Sequence, residues 1–192
     1  MNKKGILFLG YSESETPIVS FLKDYGYEVE VFNGKVSDLS EFELVVSFGY
    51  KHILTKATLS TANRDPINLH TSFLPFNRGM HPNFWSHYEN TPSGVTIHHI
   101  DSGIDTGDII VQKRVNFSSS ETTFRQTWSR LKLEIEELFM SQFARIIAND
   151  YLATKQENEG TFHMANELPK QFAGWDSDIN IDIDRLKKTS SG

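Results

Sequence analysis

The run GILFLG at residues 5–10 is continuously apolar and ends on a glycine, which predicts a buried strand of a parallel sheet. The next apolar residues fall on one helical face, namely Ile18, Phe21, Leu22 and Tyr25, with Gly26 at the end. Residues 27–32 then alternate apolar and acidic side chains, as in a strand with one less buried face. Together these elements predict a βαβ unit with a right-handed crossover.

Further strands and helices continue this pattern along the chain. We predict strands at residues 44–47, 67–70, 94–100 and 108–115, and helices at residues 55–61 and 119–149. The sequence therefore predicts an α/β fold: an open, doubly wound, Rossmann-like and mostly parallel sheet with helices on both faces. One domain would span residues 1–150, and residues 151–192 would form an extension that packs on it, with an end frayed from residue 187.

The long helix carries two further signals. Ser118 and Glu121 fit a capping box at its start. A broad stripe of apolar side chains that includes Phe124 and Trp128 recurs at helical spacing. We interpret this stripe as core and assign it no chemistry.

The composition limits the classes of function. The chain has 192 residues, a formal net charge of −6, seven histidines and no cysteine. The lack of cysteine excludes a disulfide scaffold, thiol catalysis and cysteine-ligated metal sites. The negative charge argues against broad nucleic-acid binding. No apolar stretch approaches the roughly 18–20 residues of a membrane span, and the N-terminal apolar run is too short for a signal peptide. We therefore expect a soluble cytoplasmic protein that binds no membrane.

Candidate catalytic groups follow two of the predicted strands. Asn68 and His70 end one strand, and Asp105 lies in a loop flanked by Gly103 and Gly107. Side chains two positions apart on a strand point the same way, so Asn68 and His70 can converge. A histidine can transfer a proton near neutral pH, a carboxylate can orient it, and an amide can donate to a developing oxyanion. These groups suit the transfer of an acyl group to an amine, although each of them alone could be structural.

Three other features bear on ligand binding. Residues 71–82 form a loop after the candidate site, in which Arg78 is either an anion contact or an ordinary surface arginine. The spacing of the histidines, among them His98 and His99, matches no zinc pattern, so we expect no metal. Residues 10–17 carry glutamates and lack a glycine-rich phosphate cradle, so the chain has no dinucleotide-binding fingerprint.

Separated motifs carry a resemblance to a known family. They are Asn68-Leu69-His70-Thr71-Ser72-Phe73-Leu74-Pro75; Arg78-Gly79 with Pro82 and Trp85; Gly94-Val95-Thr96-Ile97-His98; and Asp101-x-Gly103-Ile104-Asp105-Thr106-Gly107-Asp108-Ile109-Ile110. In this order and spacing, the chain resembles the folate-dependent formyltransferases. That family includes methionyl-tRNA formyltransferase, glycinamide ribonucleotide transformylase and the formyltransferases of nucleotide-linked amino sugars.

The resemblance implies a donor and a role for each candidate residue. The donor would be 10-formyltetrahydrofolate, whose formyl carbon is attacked by the substrate amine. Asn68 would stabilise the tetrahedral oxyanion, His70 would assist there and in proton transfer, and Asp105 would hold His70 and help to deprotonate the amine. The folate would be bound by Phe48, Gly49, Tyr50, Lys51, His52, Ile53 and Leu54, together with Gly103 and Ile104.

The resemblance also narrows the acceptor. The chain lacks a basic RNA-binding domain and looks most like the short sugar N-formyltransferases, which implies a nucleotide-linked amino-deoxy sugar as acceptor. Its contacts would be Ser72, Arg78, Gly79, Pro82 and Trp85, and residues 78–85 and 160–163 would lie near the substrate. The alternatives are a formyltetrahydrofolate hydrolase, a methionyl-tRNA-type formyltransferase and a non-catalytic folate-binding module. The sequence leaves a homodimer open.

Overall fold

The computed structural model describes residues 5–157 and 159–190. Its strands are β1 (Gly5–Gly10), β2 (Val29–Phe32), β3 (Phe42–Phe48), β4 (Ile67–His70), β5 (Arg78–Gly79), β6 (Gly94–His99), β7 (Ile109–Arg114) and β8 (Phe162–His163). Its helices are α1 (Ile18–Asp24), α2 (Lys56–Leu59), α3 (Pro82–Glu89), α4 (Phe124–Ile147) and α5 (Ile179–Ser190), with a 3-10 turn at Ala165–Glu167. No helix in these described ranges is long and apolar enough to cross a membrane.

Six strands form the main sheet in the order β2-β1-β3-β4-β6-β7. The pairs β2–β1, β1–β3 and β3–β4 are parallel, whereas β4–β6 and β6–β7 are antiparallel. The predicted α/β fold with a mostly parallel sheet is therefore confirmed. The short strands β5 and β8 pair in parallel in a separate sheet.

The alternation of side chains gives the main sheet two unlike faces. On the first face, a continuous apolar layer that includes Phe8, Val46, Leu69 and Ile97 packs against α1 and α4. On the second face, β1 and β3 contribute apolar side chains that pack against Leu59 of α2 and against Leu39 and Leu54 in the neighbouring loops. Burial of an aliphatic side chain contributes about 1.5–3 kcal/mol, so both layers stabilise the fold. The neighbouring part of the second face, on β4 and β6, is polar and contributes no such packing.

Helix α4 begins later than the sequence suggests. Thr123 has an extended backbone with φ −111°, and its hydroxyl accepts the N–H of Gln126, while the Gln126 side chain accepts the N–H of Thr123 at 3.0 Å. The capping box predicted at Ser118 and Glu121 is therefore wrong. Those two residues form a separate turn, in which the Glu121 carboxylate accepts the Ser118 N–H. The helix starts at Phe124 because that side chain is fully buried and anchors the first turn.

The last described segment returns to the main sheet and ends in a helix that the sequence analysis missed. In α5, Ile179, Ile183 and Leu186 are buried against α3 and α4, whereas Ile181 is 72% exposed. The spacing of the buried residues is helical, although the segment also alternates apolar and acidic residues as a strand would. The helix extends to Ser190, and the frayed end expected from residue 187 stays a prediction. Residues 191 and 192 lie outside the described residues.

Candidate active site

The polar part of the second face converges on Asp105. Asn68 and His70 project from β4, and the antiparallel register places His98 of β6 level with Asn68. Asp105 lies between β6 and β7 and has a left-handed backbone, with φ +53°. Strand register and loop conformation therefore bring four polar side chains to one point.

Asp105 is the centre of this group. Its Oδ2 accepts the backbone N–H of Gly79 at 2.8 Å, and its Oδ1 accepts Nδ2 of Asn68 at 3.2 Å. Nε2 of His70 lies 3.6 Å from Oδ2, and Nε2 of His98 lies 3.5 Å from Oδ1. The structure thus brings together Asn68, His70 and Asp105, the constellation proposed from the sequence.

Burial and charge set the protonation states of the site. Burial raises the pKa of Asp105, but the charges of His70 and His98 and the Gly79 amide outweigh this effect and hold that pKa well below its ordinary value. Burial lowers the pKa of His70, and the nearby Asp105 carboxylate offsets the change only in part. Near neutral pH the site therefore holds a carboxylate beside a neutral imidazole, a pair that can accept a proton from an amine.

His98 is a site residue that the sequence analysis did not assign. Its side chain is 2% exposed, and its Nδ1 donates to the carbonyl oxygen of His99 at 2.7 Å, since a carbonyl can only accept. In the neutral ring Nε2 is then an acceptor, and it receives Nδ2 of Asn68 at 3.2 Å. Alternation along residues 94–100 places His98 on the polar face, but only the structure identifies Asn68 as its partner.

These contacts also constrain Asn68. The two protons on its Nδ2 are directed at His98 and Asp105, each at 3.2 Å. For this amide to donate to an oxyanion, one of the two hydrogen bonds has to yield when substrate binds.

A cavity of about 930 Å³ opens beside the four side chains, which all line it. Its wall also contains every residue predicted to bind folate: Phe48, Gly49, Tyr50, Lys51, His52, Ile53, Leu54, Gly103 and Ile104. Gly49 has φ +72°, and a Cβ there would lie 2.7 Å from the ring of Tyr11, so the turn after β3 requires glycine. Ligand sites generally measure about 300–1,000 Å³, so this cavity is at the large end of the range.

The residues predicted to contact the acceptor divide into two groups. Gly79 and Pro82 line the cavity, whereas Ser72, Arg78 and Trp85 do not. The Ser72 hydroxyl donates to the carbonyl oxygen of Phe76. Arg78 donates twice to Oε1 of Gln156, at 2.8 and 3.0 Å, and Trp85 stacks on His163 with ring centroids 3.8 Å apart. The structure therefore does not bring these three side chains to the cavity, because they are engaged within the protein.

Other cavity residues were missed by the sequence analysis. They include Arg125, Trp128, Lys132 and Trp175, whereas Met80, His81 and Asn83 lie within residues 78–85, which the resemblance places near the substrate. Trp128 was interpreted as core from its helical spacing, but it is 37% exposed. Asn83 is buried, and its Oδ1 has no hydrogen-bond partner, although its Nδ2 donates to the carbonyl oxygen of Phe124 at 2.9 Å. This oxygen is therefore available to a donor on a ligand.

The described part of the chain contains no group of three or more His, Asp or Glu side chains that could hold a metal ion. The groups on the cavity wall are suited to acid–base chemistry and to stabilising an oxyanion by hydrogen bonding.

Comparisons with known proteins give a consistent result. A family model described as formyl transferase matches residues 2–142. Methionyl-tRNA formyltransferase of Clostridium beijerinckii is 36% identical over 137 residues, which are 71% of this chain and 43% of that protein. dTDP-4-amino-4,6-dideoxyglucose formyltransferase of Mycobacterium bovis is 31% identical over 136 residues, which are 70% of this chain and 56% of that protein. The chain thus spans about half the length of the curated relatives it matches.

A solved structure is similar over nearly its whole length. The formyltransferase PseJ from Anoxybacillus kamchatkensis has a TM-score of 0.84 and 35% sequence identity, with 92% of this chain and 96% of that chain covered. PseJ was crystallised in complex with UDP-4,6-dideoxy-4-formamido-L-AltNAc and tetrahydrofolate. The comparisons by sequence and by fold point to the same group of proteins.

Proposed function

This chain belongs to the formyltransferase family, and we propose that it transfers a formyl group from 10-formyltetrahydrofolate to a primary amine. The proposed acceptor is a nucleotide-linked amino-deoxy sugar. The observation that carries the proposal is one cavity whose wall contains the Asp105–His70 pair and two further groups of residues, which we assign to the two substrates. The folate side consists of residues 48–54 with Gly103 and Ile104. The acceptor side consists of Met80, His81, Asn83, Arg125, Trp128 and Trp175.

The proposed reaction forms one C–N bond and breaks another. The acceptor amine attacks the formyl carbon, and the bond between this carbon and N10 of the folate breaks. The amine loses a proton and N10 gains one, so the products are a formamide and tetrahydrofolate, with no change of oxidation state. The carbonyl oxygen carries negative charge in the tetrahedral intermediate, which a hydrogen-bond donor stabilises.

The side chains on the cavity wall suit these steps. Neutral His70 takes the proton from the attacking amine and returns it to N10, and the Asp105 carboxylate stabilises the charged imidazole in between. Asn68 donates to the oxyanion as its hydrogen bond to His98 or Asp105 yields. The depressed pKa of Asp105 keeps this side chain ionised throughout the neutral range.

The nucleotide part of the acceptor is supported by cationic and aromatic groups on the acceptor side. Arg125 pairs with Asp176 at 2.5 Å, but both side chains are largely exposed, so a diphosphate can take the place of Asp176. Trp128 and Trp175 also line the cavity, and base–aromatic stacking contributes about 1–3 kcal/mol per base. The similarity to PseJ, whose crystals contain a formylated UDP-sugar and tetrahydrofolate, supports the same acceptor class.

For the domain organisation we propose a catalytic domain at residues 1–150 and an extension at residues 151–192. The extension contributes Phe162, His163, Met164, Ala165 and Trp175 to the cavity wall, which supports a part in forming the acceptor side.

The test is an assay of the purified protein with 10-formyltetrahydrofolate and UDP- or dTDP-linked 3-amino- and 4-amino-deoxy sugars. We expect release of tetrahydrofolate only when an amino sugar is present, with the formamide product detected by mass spectrometry. His70→Ala protein is the matched control. Release without acceptor would indicate a hydrolase, release only with methionyl-tRNA a tRNA-type enzyme, and folate binding without turnover a binding module. Each of these outcomes would overturn the proposed acceptor.

A further inference from the structure

Gln156 lies outside the cavity wall, yet its side chain connects the segments that hold Asp105. Its Nε2 donates to the carbonyl oxygens of Asp105 and Gly107, at 2.9 and 2.8 Å. Its Oε1 accepts Nε and an Nη of Arg78, at 3.0 and 2.8 Å. The amide of Gln156 therefore has both of its donors and its acceptor engaged.

The partners fix the orientation of this amide without ambiguity. A guanidinium group only donates and a carbonyl only accepts, so Oε1 faces Arg78 and Nε2 faces the loop. The backbone positions Gln156 for this contact, because Thr154 pairs with Ile109 of β7 through two hydrogen bonds of 2.8 Å. Gln156 follows this bridge by two residues, and its side chain reaches the loop that precedes β7.

The loop at Asp105 needs such support. A non-glycine residue with a left-handed backbone, like Asp105 at φ +53°, is strained and persists only when its surroundings hold it. Gly107 is pressed against β6, where a Cβ would lie 1.9 Å from the carbonyl oxygen of His99. Gln156 binds the carbonyl groups of both residues, so it restrains the loop on either side of Thr106.

The same amide also restrains the second group that orients Asp105. Arg78 precedes Gly79, whose N–H donates to Oδ2 of Asp105 at 2.8 Å. The Gln156 side chain therefore binds both the backbone of Asp105 and the side chain of Arg78, the residue next to Gly79.

We propose that Gln156 is a positioning residue for the Asp105 carboxylate, and that the extension thereby takes part in catalysis as well as in lining the cavity. This role rests on the proposed formyl transfer, since it acts through Asp105 and His70. Gln156 does not line the cavity, so it acts through Asp105 and not on a substrate.

Gln156→Glu tests the proposal with a minimal change in volume. The carboxylate still accepts from Arg78, but it places an oxygen against two carbonyl oxygens and so releases the loop. We expect kcat to fall about 10- to 100-fold, the range that a misplacement of about 1 Å produces. The KM for folate should change less than kcat, since residues 48–54 are untouched and only Gly103 and Ile104 of the folate side belong to the released loop. Gln171→Glu is the matched control, because Gln171 is an exposed glutamine of the same extension.

A second readout separates this proposal from the proposed function. The side-chain titrations of Asp105 and His70 are followed by NMR in the free protein, without substrate. As the Gly79 amide and His70 move away, the pKa of Asp105 should rise towards its ordinary value in Gln156→Glu and also in Gln156→Leu, which adds no charge, and stay unchanged in Gln171→Glu. If wild-type protein formylates nothing but the titration moves, the proposed function fails and the positioning role stands. If both kcat and the titration match those of Gln171→Glu, the positioning role is overturned. The positioning role is also overturned if kcat falls only in proportion to the fraction of folded protein while the pKa of Asp105 stays unchanged.

Discussion

Replacing Gly79 with alanine tests how the pairing of β5 with β8 supports Asp105. Gly79 has φ +85°, and a Cβ there would lie 2.3 Å from the carbonyl oxygen of His163. Ordinary contacts of this kind begin at about 3.4 Å, so the two strands have to separate by about 1 Å. The Gly79 N–H, now 2.8 Å from Oδ2 of Asp105, moves with its strand.

The expected cost has two parts. An alanine in the left-handed region costs roughly 1–2 kcal/mol. The separation also weakens the bonds from the Arg78 N–H to Thr161 and from the Met80 N–H to His163, each worth about 0.5–1.5 kcal/mol. We therefore expect the free energy of unfolding to fall by about 2–5 kcal/mol. Displacement of the Asp105 donor by about 1 Å should lower kcat about 100-fold.

Gly174→Ala separates strain from displacement. Gly174 also has a positive φ, +106°, but nothing lies within 4 Å of a Cβ at that position. The Gly174→Ala protein should lose only about 1–2 kcal/mol of unfolding free energy, the cost of an alanine in the left-handed region, and should keep its activity. Urea denaturation measures both stabilities, and kcat is compared where both variants are fully folded. The reasoning is refuted if Gly79→Ala keeps kcat within about threefold of Gly174→Ala, or is no less stable.

Three further predictions concern the site and the fold. Asn68→Ala, His70→Ala and Asp105→Ala should each lower kcat at least about 100-fold with unchanged circular dichroism, and near-normal turnover in all three would contradict the mechanism. Because the pKa of His70 is lowered and its neutral form is the base, the part of the fall in kcat/KM that comes from protonation of His70 should appear only at pH values below the ordinary histidine range. A pH–rate profile that falls near the ordinary histidine value would contradict this assignment. Thr123→Ala should destabilise the protein by about 1 kcal/mol in urea denaturation, whereas Ser119→Ala should change stability by less than about 0.5 kcal/mol. Equal effects would mean that Thr123 is not the cap of α4.

The sequence predicts those features that depend on neighbours along the chain. The buried run at residues 5–10, the alternation at residues 94–100 and the pair of Asn68 and His70 are local patterns, and each lies where its pattern indicates. The apolar spacing in these strands is fixed by the sheet faces that they cover, so a single sequence suffices. The glycine-flanked loop likewise indicates a turn at Asp105.

Features that depend on distant partners were missed or misplaced. The charge and location of Arg78 are typical of an anion contact. Its guanidinium instead donates to the side chain of Gln156, which lies 78 residues further along the chain. Trp128 has core-like spacing, yet the cavity keeps one side of it exposed. In α5, Ile181 is part of an alternating pattern that is typical of a strand. The segment is nevertheless a helix, because Ile183 and Leu186 pack against α3 and α4 and leave Ile181 exposed. In each case tertiary packing decides between two locally valid patterns.

The antiparallel direction of β6 explains why the site needs distant support. Because β6 runs against β4, the chain leaves β6 level with Ile67, at the start of β4, and not beside His70. To reach Asn68 and His70, the following loop has to turn back over the polar face before β7 begins, and it does so with a left-handed Asp105. A loop that crosses the face of the sheet in this way does not pair with a strand, so its backbone groups need other hydrogen-bond partners. The Gly79 amide and the Gln156 side chain provide the missing hydrogen bonds, one from a short strand before β6 and the other from beyond α4. The geometry of Asp105 thus depends on three parts of the chain: its own loop, the strand with Gly79 and the segment with Gln156. The Asp105 motif alone therefore identifies the residue but does not determine the orientation of its carboxylate.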